Sequence, residues 1–564
     1  MRGEGGKIMR VIYFSGKLKF NSQFHVGAGA PSDVTDSVVW RDHDGNPIIP
    51  ATSLAGALRS KATELAPWLA AEGRECHSLK DKDTLCGCLV CRLFGDCGQI
   101  TNGKNPKRQI ASKLWFYDAK PENKLQMTYR DFVGVQRTTG VAASGAKFDM
   151  ENIAAGASFD FVLKAENIDS DEAALLAAVL TEWEHGRGRI GRKISCGFGD
   201  FCLTDLKTSE WDLRQSEELM KYLRADKHYE KGIAAQKWLE NNMPNPINDY
   251  MPVRGTASCF LEINIRLVFD GPMVTADNMA AARFDFDQAP LIKGDGKDCK
   301  AILPGSSVRG VLRAQAEKIV RTLGMDKACA GHYDAACNPF GTKEKNSVWH
   351  CDERLGTTEP LAVKDEQLCP ICRLFGSSLR GSRVLVGEAV CDNPIFKVID
   401  YLAIDRFTGG GRDGSKFDAL TLWSPVFEVK LLVENPADWE IALLMFVLRD
   451  LKDGMLSFGA GASKGAGWCK AEDVQLKCGW LGSDAPIGAD KWNGIERNGI
   501  YNVAKENWLF EKMDDAKRNM LNKYAKSLKK QIDEYQEKCG QVGEAVWTKE
   551  LSDLYPQEVA QGGK

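Results

Sequence analysis

Eighteen cysteines stand in the 564-residue chain, and two groups of them have the spacing of metal ligands. In the first group, Cys88 and Cys91 form a Cys-x-x-Cys turn, with Cys76 and Cys86 upstream and Cys97 and His77 as spares. In the second, Cys369 and Cys372 form the same turn. There Cys351 matches Cys76, Cys337 is the preferred fourth ligand, and His350, His332 and Cys329 compete for the place. Zn2+ takes four tetrahedral thiolate or imidazole ligands, and the two-residue spacer sets two of them at the right separation. Four protein ligands leave no open coordination position, so both zinc ions would be structural. The alternative is a set of reduced, buried thiols in a compartment that does not favour disulfides.

A second chemistry is anion binding. The Gly-rich stretches 191–199 and 459–467 could bring backbone N–H groups to phosphates, with Arg189, Arg192 and Lys193 at the first and Ser463 and Lys464 in the second. Ser53 with Arg59, and Ser306 with Arg309 and Arg313, lie near expected helix N-termini, which also attract phosphate. Plain helix capping accounts for the serines nearly as well. His25 has the side chain for acid–base work, but no histidine matches it in the second half, and a satisfied strand-end histidine is the preferred reading.

The elements that must carry these residues are written twice. Pro50 to Arg59 returns as Pro304 to Arg313, and Cys88 to Gly95 returns as Cys369 to Gly376. Arg137-Thr138 with Lys147-Phe148-Asp149 returns as Arg406-Phe407 with Lys416-Phe417-Asp418, and the Gly-rich loop also recurs. Four blocks in one order imply duplication of a whole domain. Alternating apolar residues predict strands over 17–25 and 261–267. Helices are expected from Thr52 or Ser53 to Leu65 and from Ser306 or Ser307 to Val320, then over 172–185 and 439–450, with a strand near 198–203. This pattern fits an α+β, ferredoxin-like core in each copy. The expected divisions are a first domain over 10–208, a helical linker over 209–255, a second domain over 256–475 and a helical C-terminal extension over 476–564.

The net charge of −3 argues against a uniformly basic surface, so nucleic-acid binding would need Lys and Arg gathered on one face. No apolar run of about 18 residues predicts a membrane span. Met1 to Lys7 lacks the apolar core of a signal peptide, and a cytoplasmic location is expected.

The set His25-Val26-Gly27-Ala28-Gly29, Asp36-Ser37-Val38-Val39-Trp40-Arg41-Asp42 and Pro50-x-x-Ser53-Leu54-x-Gly56 resembles the RAMP superfamily. The Cys-x-x-Cys-x-Leu-Phe-Gly motif and the Gly-rich loop complete the resemblance, which is to the Cas-seven-type backbone subunits of type III CRISPR complexes. The double copy is similar to type III-D fusions and to half of the single-protein type III-E effector. The resemblance implies RRM-like domains that stack along CRISPR guide RNA beside other type III RAMP-type subunits. It also implies a hairpin thumb that displaces a base of the guide–target duplex, and an Asp that cuts complementary target RNA with Mg2+ or Mn2+. Asp36, or alternatively Asp33, falls at that position in the first copy, and Asp287, or alternatively Asp285, in the second. Lys293 is taken as the counterpart of Arg41, and Gly271 to Thr275 as the counterpart of the His25 run. Arg137, Thr138, Arg406 and Phe407 fall in the thumbs, where Phe407 could stack on the displaced base. A non-catalytic guide scaffold and a guide-precursor processing ribonuclease are the other functions considered.

Overall fold

The computed structural model describes residues 9–29, 31, 35–69, 76, 86–96, 110–137, 140–246, 259–294, 299–329, 334–338, 350–356, 363–483, 485–507 and 515–539. Asp33, Thr138, His332, His77 and Cys97 lie outside these described residues.

The first copy runs β1 (Arg10–Phe20), α1 (Ala51–Leu69), α2 (Leu89–Phe94), β2 (Leu114–Phe116), β3 (Met127–Val135), β4 (Ala142–Ile153), β5 (Ser158–Glu166), α3 (Ser170–Glu184), β6 (Gly188–Arg189) and β7 (Asp200–Asp212). Its antiparallel sheet has the order β2-β5-β1-β7-β6, and β3 and β4 form a separate hairpin inserted before β5. A connecting segment follows, with α4 (Ser216–Arg224), β8 (Ile233–Ala234) and α5 (Gln236–Asn242).

The second copy opens with β9 (Cys259–Phe269), β10 (Pro272–Met273), α6 (Asn278–Phe284), β11 (Ile292–Lys293), β12 (Lys300–Leu303) and α7 (Gly305–Leu323). It continues through α8 (Met325–Cys329), α9 (Cys351–Leu355), α10 (Pro370–Phe375), β13 (Val384–Val386) and β14 (Ala389–Cys391). The hairpin β15 (Phe396–Ile404) and β16 (Gly411–Trp423) precedes β17 (Val426–Glu434), α11 (Asp438–Lys452) and β18 (Cys469–Trp480). Its sheet, β13-β17-β9-β18, repeats the first copy's β2-β5-β1-β7, so both halves are ferredoxin-like sheets with the same inserted thumb. The alternation at 261–267 is realised: Leu261, Ile263, Ile265 and Leu267 are buried, whereas Arg266 is exposed. In the first copy the strand begins earlier than the alternation suggested, at Arg10, and Phe24 lies beyond its end in an isolated bridge to Ile153.

Both long helices start before the serines expected to cap them. α1 begins at Ala51, whose N–H donates to the Asp118 carboxylate at 2.7 Å, so the cap comes from a residue remote in sequence. α7 begins at Gly305 behind Pro304, and no side chain caps it. Ser53 and Ser306 therefore sit inside first turns.

The C-terminal extension is not purely helical. β19 (Asn493–Asn498) and β20 (Tyr501–Asn507) widen the second sheet beyond β18, and α12 (Asp515–Cys539) packs chiefly on α11 and adds Tyr524, Leu528, Ile532 and Tyr535 to that copy's core. Among the described residues, no helix is long and apolar enough to cross a membrane.

The copies meet through unlike surfaces. The turn after α3 in the first copy, Ile194–Cys196, lies on the start of α7 and on β13. A Cβ at Gly197 would stand 2.5 Å from the Val386 carbonyl oxygen, and one at Gly305 would stand 2.5 Å from that of Cys196. Two polar anchors flank this contact. Arg137, near the first thumb's tip, pairs with the fully buried Glu317 at 2.9 Å, and Arg130 pairs with Glu388 at 2.9 Å.

Candidate nuclease site and metal knuckles

Each Cys-x-x-Cys turn is the start of a short helix. Cys88 is the N-cap of α2 and Cys369 that of α10, and each thiol accepts the N–H of the second cysteine, Cys91 or Cys372. The remaining ligands come from upstream chain, and among the described residues cysteines alone make up both groups. Cys76, Cys86, Cys88 and Cys91 form one group and Cys337, Cys351, Cys369 and Cys372 the other, with all sulfurs in a group within 4.8 Å of one another. Sulfurs about 2.3 Å from a tetrahedral zinc are spaced by roughly 3.8 Å, and the Cys76–Cys91 and Cys337–Cys369 separations are 3.5 and 3.6 Å. Both groups could hold zinc. His350 is not in the second group; its Nδ1 lies 3.1 Å from an Asp352 carboxylate oxygen.

The same guanidinium backs each group. Arg59 donates to Cys91 Sγ at 3.6 Å, and Arg313 to Cys372 Sγ at 3.8 Å. Arg313 is buried, pairs with Glu317 and donates to the Gly376 carbonyl, so its charge serves the interior and not an RNA-facing surface. Arg309 likewise donates to the Phe375 carbonyl.

Asp36 and Asp287 occupy matching, exposed positions. The match follows from backbone register. The Gly27–Val39 bridge corresponds to the Ala276–Pro290 bridge, and the bond from Trp40 N–H to the Val26 carbonyl corresponds to that from Leu291 to Thr275. This register corrects two assignments. Ile292, and not Lys293, stands opposite Arg41, and His25 matches Val274, because Arg192 N–H bonds the His25 carbonyl as Ala460 N–H bonds that of Val274. Lys293 instead donates to the Ala155 carbonyl of the first copy. Asp285, the alternative in the second copy, is the left-handed C-cap of α6.

Each of the two aspartates clasps the thumb. Asp36 N–H donates to Asp149 Oδ1 at 2.7 Å, and Asp149 N–H donates back to Asp36 Oδ2 at 3.0 Å. In the second copy Asp287 N–H donates to Asp418 Oδ1 at 2.9 Å, and Asp418 N–H returns to Asp287 Oδ2 at 3.0 Å. The Asp36 N–H and the Thr35 hydroxyl hold the Asp149 carboxyl below the usual carboxylate range. Neither Asp149 nor Asp418 was singled out from sequence, although the repeated Lys-Phe-Asp block contains both.

A second tie joins each thumb to the glycine loop. Lys193 lies over the stacked Phe132 and Phe148 rings, 4.6 Å from the latter's centroid, and Lys464 lies over stacked Tyr401 and Phe417, 4.3 Å from the latter. Burial lowers the Lys193 pKa.

Among the described residues, the first copy adds a buried network built on a carboxylate and a histidine, which the second lacks. Glu151 accepts Val39 N–H at 3.0 Å and the Arg41 guanidinium at 2.6 Å. Its carbonyl takes His25 Nδ1–H at 2.7 Å, which fixes the tautomer, because a carbonyl only accepts. Nε2 is then free to accept the Ser37 hydroxyl at 3.1 Å, whose oxygen takes Arg192 at 3.1 Å. His25 is fully buried, and desolvation lowers its pKa, as fits a satisfied histidine at a strand end. In the second copy the equivalent positions are Val274, Gln288, Ile292, Leu420 and Ala460.

The other expected RNA contacts divide by exposure. Arg192, Arg406 and Lys464 are exposed, and Phe407 is 99% exposed at the second thumb's tip, where Asp405 accepts its N–H. Arg189 pairs with Asp200 at 2.6 Å and, with Lys293, Glu388 and Lys430, lines a cavity of about 510 Å³ between the copies. Arg137 is committed to Glu317.

A ferredoxin-like pair, each member carrying an inserted hairpin, a four-cysteine knuckle and an aspartate clasped to the hairpin, defines a tandem backbone-type protein. The chain belongs to the RAMP superfamily, whose family model matches residues 17–202 and 288–470, one stretch in each copy. A relative, the CRISPR system Cms endoribonuclease Csm3 of Methanocaldococcus jannaschii, is 27% identical over 157 residues. The match covers 27% of this chain and 60% of the relative.

Proposed function

We propose that the chain is a guide-RNA-binding backbone subunit of a type III CRISPR effector complex and cuts complementary target RNA at one Asp-dependent site per copy, Asp36 and Asp287. The observation that carries this reading is the repetition of one exposed aspartate, clasped in the same way to a thumb, in both halves of a RAMP-superfamily chain. The relative named as an endoribonuclease supports the reaction class.

RNA supplies its own nucleophile, the 2′-hydroxyl, so the protein's main task is to hold the strand in line for attack. A divalent ion such as Mg2+ or Mn2+, for which one or two carboxylates suffice, would stabilise charge on the phosphate or leaving oxygen. The thumb displaces one base of the duplex, and exposed Phe407 stacks on it in the second copy. Exposed Arg192, Lys464 and Arg406 contact RNA backbone, and the glycine loops and the first turns holding Ser53 and Ser306 offer N–H groups to phosphates. Other RAMP-type subunits adjoin both ends, and the complex works in the cytoplasm.

In the assembled complex, Asp36→Ala is expected to remove one cleavage product and Asp287→Ala another, with target binding retained. A full product ladder from both single variants overturns the reading. Loss of neither product with guide retained assigns the chain a scaffold role.

A further inference from the structure

We propose that Asp149 and Asp418 are positioning residues that hold Asp36 and Asp287 for cleavage, and that the second copy depends on this clasp far more than the first. The proposal rests on the reading of Asp36 and Asp287 given above.

The clasp ties two remote pieces of chain, the loop before α1 or α7 and one strand of the thumb. In each copy both backbone N–H groups and both carboxylates take part, so backbone and side chain of the cutting residue are fixed together. Only Oδ2 of the cutting residue is used, one of its two oxygens. Because the thumb also displaces the target base, the clasp sets the distance between the carboxylate and the phosphate beside that base. A misplacement of about 1 Å costs on the order of a hundredfold in rate.

The asymmetry follows from the Glu151 network. In the first copy the residues after Asp36 are also held by Glu151 through Val39 and Arg41, and by His25 through Ser37. Leu420 and Val274 replace Glu151 and His25 in the second copy, and neither side chain can accept or donate a hydrogen bond. Removing the clasp therefore leaves the first loop the anchors from Glu151, Arg41 and His25, whereas the second keeps the Thr275 hydroxyl on Leu291 N–H, four residues beyond Asp287.

The test uses the guide-loaded complex with its partner subunits, and reads target cleavage product by product at saturating target. Asp149→Ala is expected to slow the Asp36 cut about tenfold and Asp418→Ala the Asp287 cut about a hundredfold, with KM unchanged. Asp149→Asn and Asp418→Asn keep an oxygen that accepts the loop N–H, and are expected to recover most of the rate. Asn variants as slow as the Ala variants would show that charge matters and not the clasp, and would overturn the proposal. So would Ala variants at full rate in a complex that Asp36→Ala and Asp287→Ala inactivate, and equal slowing at the two sites would overturn the asymmetry. If Asp36→Ala leaves cleavage intact, the functional reading fails by itself. Hydrogen exchange over residues 35–40 then decides the clasp: faster exchange in Asp149→Ala upholds it, and unchanged exchange overturns it.

Discussion

His25 illustrates how much of the site depends on burial that no local pattern announces. Its type and its Gly-rich neighbours suggest chemistry, whereas its ring is sealed between a carbonyl and a serine hydroxyl. Desolvation and the nearby Arg192 hold its pKa below the ordinary value of about 6.5. The unfolded chain therefore takes up the proton first as pH falls, and the histidine's contribution to stability is present above about pH 6.5 and lost below it. Accordingly, the difference in melting temperature between the wild type and His25→Gln should narrow as pH drops from about 7 to about 5. Asp36 and Asp287 were reached through the family resemblance and lie outside the repeated blocks, and backbone register gives them matching places in the two copies. Their partners Asp149 and Asp418 were visible only as part of a recurring Lys-Phe-Asp, since bonds across more than a hundred residues leave no periodicity to read. Glu151 was missed for the same reason. A buried glutamate looks like any surface one until its partners are known.

Among the elements, the knuckles were the most legible, because ligand geometry constrains spacing and so marks the sequence. Zinc analysis of the purified chain should give close to two ions per molecule, in keeping with two four-cysteine groups. Cys91→Ser should remove one and Cys372→Ser the other, with lowered melting temperature, since such ions contribute directly to folding. The helix starts were read less well. Thr52, Ser53, Ser306 and Ser307 are good capping types, but a proline precedes each helix by one residue and sets the start ahead of them. At α1 the cap is then supplied by Asp118, across the fold. The extension after β18 was expected to be helix alone. β19 and β20 form a tight hairpin whose second strand pairs with β18, the strand just before it, and their short, largely polar segments carry little of the alternation that marks a strand.

At the level of the whole molecule, duplication was plain from the sequence, but the manner in which the copies meet was not. Arg137 was read as an RNA contact, and the structure commits it to Glu317 of the next copy. Glu317 also faces Arg313 at 3.0 Å and Arg321 at 3.9 Å. Glu317→Ala leaves three guanidinium groups without their shared carboxylate, and should cost about 3 kcal/mol, read as a lowered urea midpoint. Arg137→Ala leaves the carboxylate two other cations and should cost less. One feature of α12 bears on how the chain matures. Tyr535 brings its hydroxyl within 3.9 Å of Cys351 Sγ, so the second knuckle is roofed by a helix that ends at Cys539. The first knuckle is complete once residue 91 has been made, and the second must wait for a stretch synthesised long after its own ligands. During translation, the first knuckle can therefore take up its ion while the second is still an open, oxidisable thiol nest. A chain interrupted before residue 515 would emerge with its second knuckle unroofed and exposed to loss of metal.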